Sequence, residues 1–208
     1  MKITAVDLSA KRGEEVLFQH LRFTIHDREL LTITGPNGIG KSTLLRIIAG
    51  FLPANEGEVT AQEGDQRFPV SLVSHYLGSQ NAMKTHLTVL QNLEFWSDFD
   101  SSRLLSPMEA LAEVELSGIE HLPFGVLSTG QKRRVAIARL LLSHQPLWLL
   151  DEPTSGLDKH ASAIFAKIME EHRNRSGMII AATHLPLGIE ENRHILLDDY
   201  LPDFEDSL

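Results

Sequence analysis

The 208-residue sequence contains no cysteine, which excludes a disulfide framework and any thiolate-ligated metal site. Cationic charge is scarce: 19 Lys and Arg stand against 28 Asp and Glu, a formal net charge of −9 with no long basic block to offset it. Such a surface sets up no attractive field for a polyanion, so nucleic acid is not expected as a partner. Long hydrophobic runs are missing too. No segment approaches the ~18 uninterrupted apolar residues of a membrane span, and the start, MKITAVDLSAKRGEEVLF, lacks the apolar centre of a signal peptide. A soluble chain is expected, meeting membranes only through a partner. Apolar residues, at 42 %, suffice to bury a real core, so a single domain over 1–208 is the expectation.

Short β-branched or alternating runs predict strands over 3–8, 16–25 and 30–34, making the opening third β-rich. Apolar residues at helical spacing predict a helix over 41–51, stopped by Pro53. A strand follows over 70–78. Between about 81 and 125 only helical patterns appear, over 87–96 and 107–116, which reads as an all-helical insertion. Beyond it the pattern alternates: helix 131–143, strand 147–150, helix 158–173, strand 178–183 and a last strand 194–197. Continuous apolar strands between helices imply a parallel sheet covered on both faces. The acidic ending DFEDSL is expected to fray.

Residues 35–43 read GPNGIGKST between the strand ELLTIT and the helix LLRIIAGFL. Gly35, Gly40, Lys41 and Ser42 satisfy G-x-x-x-x-G-K-[ST] in the strand-to-helix context that pattern requires. Glycines let successive N–H groups converge on one centre, and the helix N-terminus adds positive potential. Lys41 is placed for the β- and γ-phosphates, and Ser42 offers a hydroxyl to Mg²⁺. The whole turn, Gly35, Pro36, Asn37, Gly38, Ile39, Gly40, Lys41, Ser42 and Thr43, is therefore the expected ATP cradle. LWLLDE supplies a carboxylate for the metal, Asp151, where a buried strand ends. Glu152 follows as candidate general base for an attacking water.

LSTGQ, residues 127–131, contains a capping box, Ser128 with Gln131, at a helix start. Capping alone accounts for it. A Ser-Thr-Gly helix start is also a second anion-binding end, which makes sense if it closes on the nucleotide of another copy.

GPNGIGKST, LSTGQ, LLDEPTSGLD and ATH, in this order, resemble an ABC-transporter ATPase domain over essentially the whole chain. The resemblance implies a P-loop NTPase core, a mostly parallel sheet flanked by helices, with an N-terminal antiparallel β subdomain and an inserted α-helical subdomain. It also implies an ATP-dependent homodimer in which Ser128, Gly130 and Gln131 of one copy meet the γ-phosphate held by the other, an isologous arrangement. Asp158 would cross that interface, although its position also suits an N-cap. His184, after the strand 178–183, would contact the γ-phosphate and orient the water. Gln80 would sense Mg²⁺ and link to the membrane partner.

Two departures stand out. Thr129 replaces a glycine of the signature, and the aromatic residue that stacks on adenine is missing, with Arg12 near its place. An arginine plane can also stack on a base.

Within the family, YLGSQNAMKTHLTVLQNLEFW, the compact length and the ending THLPLGIEENRHILL are similar to the haem-exporter ATPase subunits of bacterial cytochrome c maturation. That implies a peripheral ATPase on the cytoplasmic face of the inner membrane, paired with a separately encoded integral membrane subunit. Its work would energise haem export or haem release from a chaperone. The scattered histidines offer no axial pair, so the chain itself is not expected to bind haem. An ATPase for a lipid or lipoprotein, a soluble non-transport ABC protein and an ATP-binding module without turnover are the alternatives.

Overall fold

The structure, a computed structural model, describes residues 1–99 and 102–202. The ending expected to fray, 203–208, lies outside the described residues.

Two sheets organise the chain. Strands β1 (Lys2–Arg12), β2 (Glu15–His26), β4 (Glu56–Glu63) and β5 (Gln66–Phe68) form an antiparallel sheet in the order β2-β1-β4-β5. Strands β3 (Leu30–Thr34), β6 (Ser74–Leu77), β7 (Leu147–Asp151), β8 (Met178–Ala182) and β9 (Arg193–Leu196) form a parallel sheet in the order β6-β7-β8-β3-β9. Every residue of β7 and β8 is buried. The alternation of side chains along each strand divides these residues between two cores.

On one face, Leu147, Leu149, Met178 and Ile180 pack with α1 (Lys41–Ile48) and the antiparallel sheet. On the other, Trp148, Leu150, Ile179 and Ala181 pack with α4 (Thr129–Leu140), α5 (Lys159–Asn174) and the helical insertion. The insertion contributes α2 (Val89–Ser97) and α3 (Pro107–Glu113), each opened by a full capping box, Thr88 with Gln91 and Ser106 with Glu109. Among its described residues there is no strand, only the isolated bridges Thr88–Pro123 and Arg103–Ser143. Arg134 of α4 ties this insertion to the core, donating to the carbonyls of Val114 and Glu115 at 3.2 Å each.

Three differences from the sequence reading have local causes. Strands β4 and β5 join the antiparallel sheet through the turn at Gly64 and Asp65, although EGEVTAQE has too little apolar patterning to announce a strand. Helix α1 ends at Ile48, not at Phe51, because Gly50 takes φ 76° and closes the helix. Its N–H donates to Ile47 and that of Phe51 to Arg46. The segment before β6 is a 3₁₀ turn, Val70–Leu72, so the predicted strand shrinks to its second half.

Candidate functional site

The turn between β3 and α1 is built on left-handed glycines: Gly35, Gly38 and Gly40 have φ of 141°, 89° and 117°, values that side chains with a Cβ rarely adopt. Gly40 caps α1 with no side-chain acceptor, and no acidic residue occupies the first turn. The orphan N–H groups of that turn thus have no acidic side chain within α1 itself to offset their partial positive charge. Lys41 is buried at 7 % exposure, and its ammonium donates to the carbonyls of Gly35 and Pro36 at 2.6 and 2.9 Å. Among the described residues this buried cation hydrogen-bonds only to two neutral carbonyls of its own loop, with no carboxylate at hydrogen-bonding distance.

Asp151 ends β7 at 3 % exposure, opposite Ala182 of β8. The Ser42 hydroxyl donates to its Oδ1 at 3.0 Å, and the Tyr76 hydroxyl lies 3.4 Å from its Oδ2. Burial is the main reason that the Tyr76 phenol titrates above its usual range, with the Asp151 charge adding to it. Hydroxyl and carboxylate oxygens side by side form a hard donor set, the chemistry that suits Mg²⁺. The residues therefore fit a metal-bound polyphosphate.

Glu152 is the strained residue of the site, with φ 45°. Its N–H donates to Ala182 O at 2.8 Å, anchoring the strain to β8. His184 Nδ1 lies 2.9 Å from Glu152 Oε1. Because a carboxylate only accepts, Nδ1 carries the proton in this pair. The other oxygen, Oε2, is buried and has no hydrogen-bond partner among the described residues. A buried carboxylate oxygen left open in this way can receive a proton.

A depression of about 160 Å³ is lined by Asn37, Gly38, Gly40, Lys41, Ser42, Thr43, Asp151 and Glu152, the residues the sequence assigned to one site, joined by Arg12. Strand β1 runs to Arg12, farther than its hydrophobic pattern reached, and that extension delivers the guanidinium to the rim. Gln80 stands elsewhere, in a groove of about 390 Å³ with Phe51, Tyr76, Trp96 and Arg139.

The signature residues form a separate corner. Ser128 caps α4 in a box with Gln131, engaging the N–H groups of Ser128 and Gln131 but not those of Thr129 and Gly130. Gly130 packs against Gly156 O, and the Thr129 methyl faces Gly156, so the helix start adjoins the loop that leads to Asp158. Asp158 caps α5, accepting from Ala161 N at 2.8 Å.

One functional side chain escaped the sequence reading. Arg133, buried at 4 % exposure, donates to four carbonyls: Gly78 at 2.6 Å, Glu152 at 2.9 Å, Asp151 at 3.0 Å and Pro153 at 3.1 Å. The available signal was an arginine on the face of α4 that also buries Ile137 and Leu140.

The profile of the ABC transporter family matches residues 18–155. The cytochrome c biogenesis ATP-binding export protein CcmA of Bartonella henselae is 57 % identical over 202 residues, 97 % of each chain. The protein of that name from Brucella abortus is 57 % identical over 190 residues, 91 % of this chain and 88 % of that one. Among solved structures, a putative ABC transporter ATP-binding protein from Pyrococcus furiosus superposes with a TM-score of 0.80 at 24 % identity, covering 97 % of this chain and all of that one, 100 %. A dimeric ATP-binding cassette in a post-hydrolysis state, bound to ADP and Pi, superposes with a TM-score of 0.73 at 27 % identity, covering 88 % of each chain.

Proposed function

The chain belongs to the ABC transporter family as an ATP-binding subunit, and from that premise we propose that it is the ATP-hydrolysing motor of an export system serving c-type cytochrome assembly. The proposed cargo is haem, exported for delivery to, or released from, a periplasmic chaperone. The names of its 57 % identical relatives, cytochrome c biogenesis ATP-binding export proteins, support this assignment.

One observation carries the hydrolytic reading: Glu152, whose Oε2 has no hydrogen-bond partner among the described residues, lines the same depression as Lys41, Ser42 and Asp151. The glycine turn from Gly35 to Thr43 and the N-terminus of α1 bind the phosphates of ATP, and Lys41 exchanges its loop carbonyls for phosphate oxygens. Ser42 and Asp151 would hold Mg²⁺, with Gln80 as the further proposed ligand. The metal, when bound, neutralises charge on the phosphate oxygens. Glu152 Oε2 takes the proton of the attacking water, while the proton on His184 Nδ1 keeps the other oxygen occupied and fixes the carboxylate.

Ser128, Gly130 and Gln131 complete the site of a second copy, with Asp158 at the seam, giving an ATP-dependent homodimer. Closing and opening of that dimer is transmitted through the groove at Gln80 to a separately encoded membrane subunit. Exposed aromatic residues on α2, Phe95 at 38 % and the adjoining Phe99 at 71 %, suit such a contact. Among the described residues no helix is long and apolar enough to cross a membrane. The proposed location is peripheral, on the cytoplasmic face of the inner membrane.

Phosphate release tests the proposal. Wild-type protein should turn over ATP, and Glu152→Gln should bind ATP while hydrolysing it roughly 10²-fold or more slowly. Equal inertness of the two would overturn the motor reading. Co-purification of the chain with an unrelated transporter's membrane subunit would overturn the haem assignment alone.

A further inference from the structure

Three parts of the site that must act together belong to different elements. Glu152 follows β7, the 78–80 segment follows β6, and the signature residues open α4. Arg133 is where these elements meet. Its guanidinium spans Gly78 O on one side and the carbonyls of Asp151, Glu152 and Pro153 on the other. All four of these bonds go to backbone carbonyls and none to a carboxylate oxygen, so the group spends its donors on backbone position. Burial draws its pKa down to about 10, which leaves it charged at neutral pH.

The strain at Glu152 gives this contact its consequence. A glutamate at φ 45° persists only where its surroundings hold it. Here the N–H is fixed by Ala182 O, and the C=O by Arg133 Nη2. Release of either bond would remove one of the two backbone contacts that hold the residue in this conformation. The rest of α4 shows the same direction of pull. Arg139 donates to Tyr76 O at 2.5 Å and stacks over Trp96 at 4.6 Å, while Arg134 holds the insertion at Val114 and Glu115. Helix α4 is thus fastened to the insertion and to the end of β6, and Arg133 carries its position to Glu152.

We propose that Arg133 is a positioning residue for ATP hydrolysis, fastening the backbone of Glu152 to α4 and Gly78 so that the carboxylate is aligned only when all three are in register. This rests on the reading of Glu152 as general base.

The test compares Arg133→Met, Arg133→Lys and wild type in the full-length chain, measuring kcat, KM for ATP and the thermal midpoint, each also on a Glu152→Gln background. Displacing a catalytic group by about 1 Å costs on the order of 10²-fold. Arg133→Met should therefore lower kcat at least tenfold with KM within about threefold, since Lys41 and Ser42 are untouched. Lysine, a compact head that cannot span Gly78 and Pro153 together, should recover part of the rate. On the Glu152→Gln background neither substitution should slow the residual reaction further. Wild-type kcat in folded Arg133→Met, or a drop that multiplies with Glu152→Gln, overturns the proposal. Should the methionine variant fail to fold, the lysine variant decides: a lowered kcat at constant KM supports positioning, and an unchanged kcat overturns it. If wild type hydrolyses ATP and Glu152→Gln abolishes it while Arg133 variants behave as wild type, this inference alone falls. If Glu152→Gln is as active as wild type, both fall.

Discussion

A glutamate with φ 45° and a buried oxygen that has no hydrogen-bond partner among the described residues is an unfavourable residue to keep. A non-glycine residue in a sparsely populated region costs about 1–3 kcal/mol, and an unsatisfied buried acceptor costs a similar amount. Both costs fall on Glu152, the group assigned to the water's proton, so stability and hydrolysis oppose each other at one position. Asparagine tolerates the left-handed region and is too short to lie along His184. Glu152→Asn should keep or raise the unfolding free energy by up to about 1 kcal/mol, while phosphate release falls roughly 10²-fold. Chemical denaturation and a turnover assay check the two halves, and a clear loss of stability would contradict this account of the strain. The sequence shows an acid after a buried strand but not its dihedral angle. Backbone strain comes from the bond to Ala182 on β8, about thirty residues away in sequence, and no local pattern encodes it.

Elements were legible where one periodicity dominated. The buried strands β3, β7 and β8 announced themselves as continuous apolar runs, each ending within a residue of its expected position. Strand β4 did not, because its outer face is polar and only Val59 and Ala61 reach the core side. The pairing with β1 that holds it is long-range. Capping chemistry was legible and came out as a complete box at Ser128, yet a box serves a helix whether or not a phosphate ever approaches it.

Charge separates the two uses. Ser128→Ala removes the cap and should cost about 1 kcal/mol of stability. Ser128→Asp keeps a good cap, and its negative charge is favourable at a helix N-terminus. If α4 only needs capping, the aspartate variant should match wild type in both stability and turnover. If the helix start meets a γ-phosphate of another copy, that variant stays stable and loses hydrolysis, because two anions cannot share one site. We expect the second outcome, with ATP-dependent dimerisation of Ser128→Asp, followed by light scattering, lost alongside activity.

At the scale of the whole molecule, the two cores meet across the parallel sheet, and the side opposite α1 closes around one buried histidine. His172 of α5 stacks on Trp148 of β7 with ring centroids 3.9 Å apart and an 8° angle between planes. Its Nε2 donates to Met178 O at 3.2 Å, and the ring covers Gly177 so closely that a Cβ there would collide with it. Burial is the main cause that pulls its pKa from 6.5 down to about 4, the Met178 carbonyl opposes the shift, and His144 and His75 reinforce it. The sign of the pH effect follows. Above pH 6.5 the imidazole is neutral folded and unfolded, so it contributes no dependence. Between 6.5 and 4 the unfolded chain binds a proton that the folded one refuses, and stability falls as pH falls. At about 1.4 kcal/mol per pH unit of difference, the loss approaches roughly 2 kcal/mol at pH 5 and roughly 3 kcal/mol below pH 4. Glutamine keeps a neutral donor for Met178 O and cannot charge. Urea midpoints from pH 7.5 to 5 should therefore converge, with His172→Gln less stable than wild type at neutral pH and losing less on acidification. Parallel curves for the two proteins would mean that acid unfolds this core through some other group.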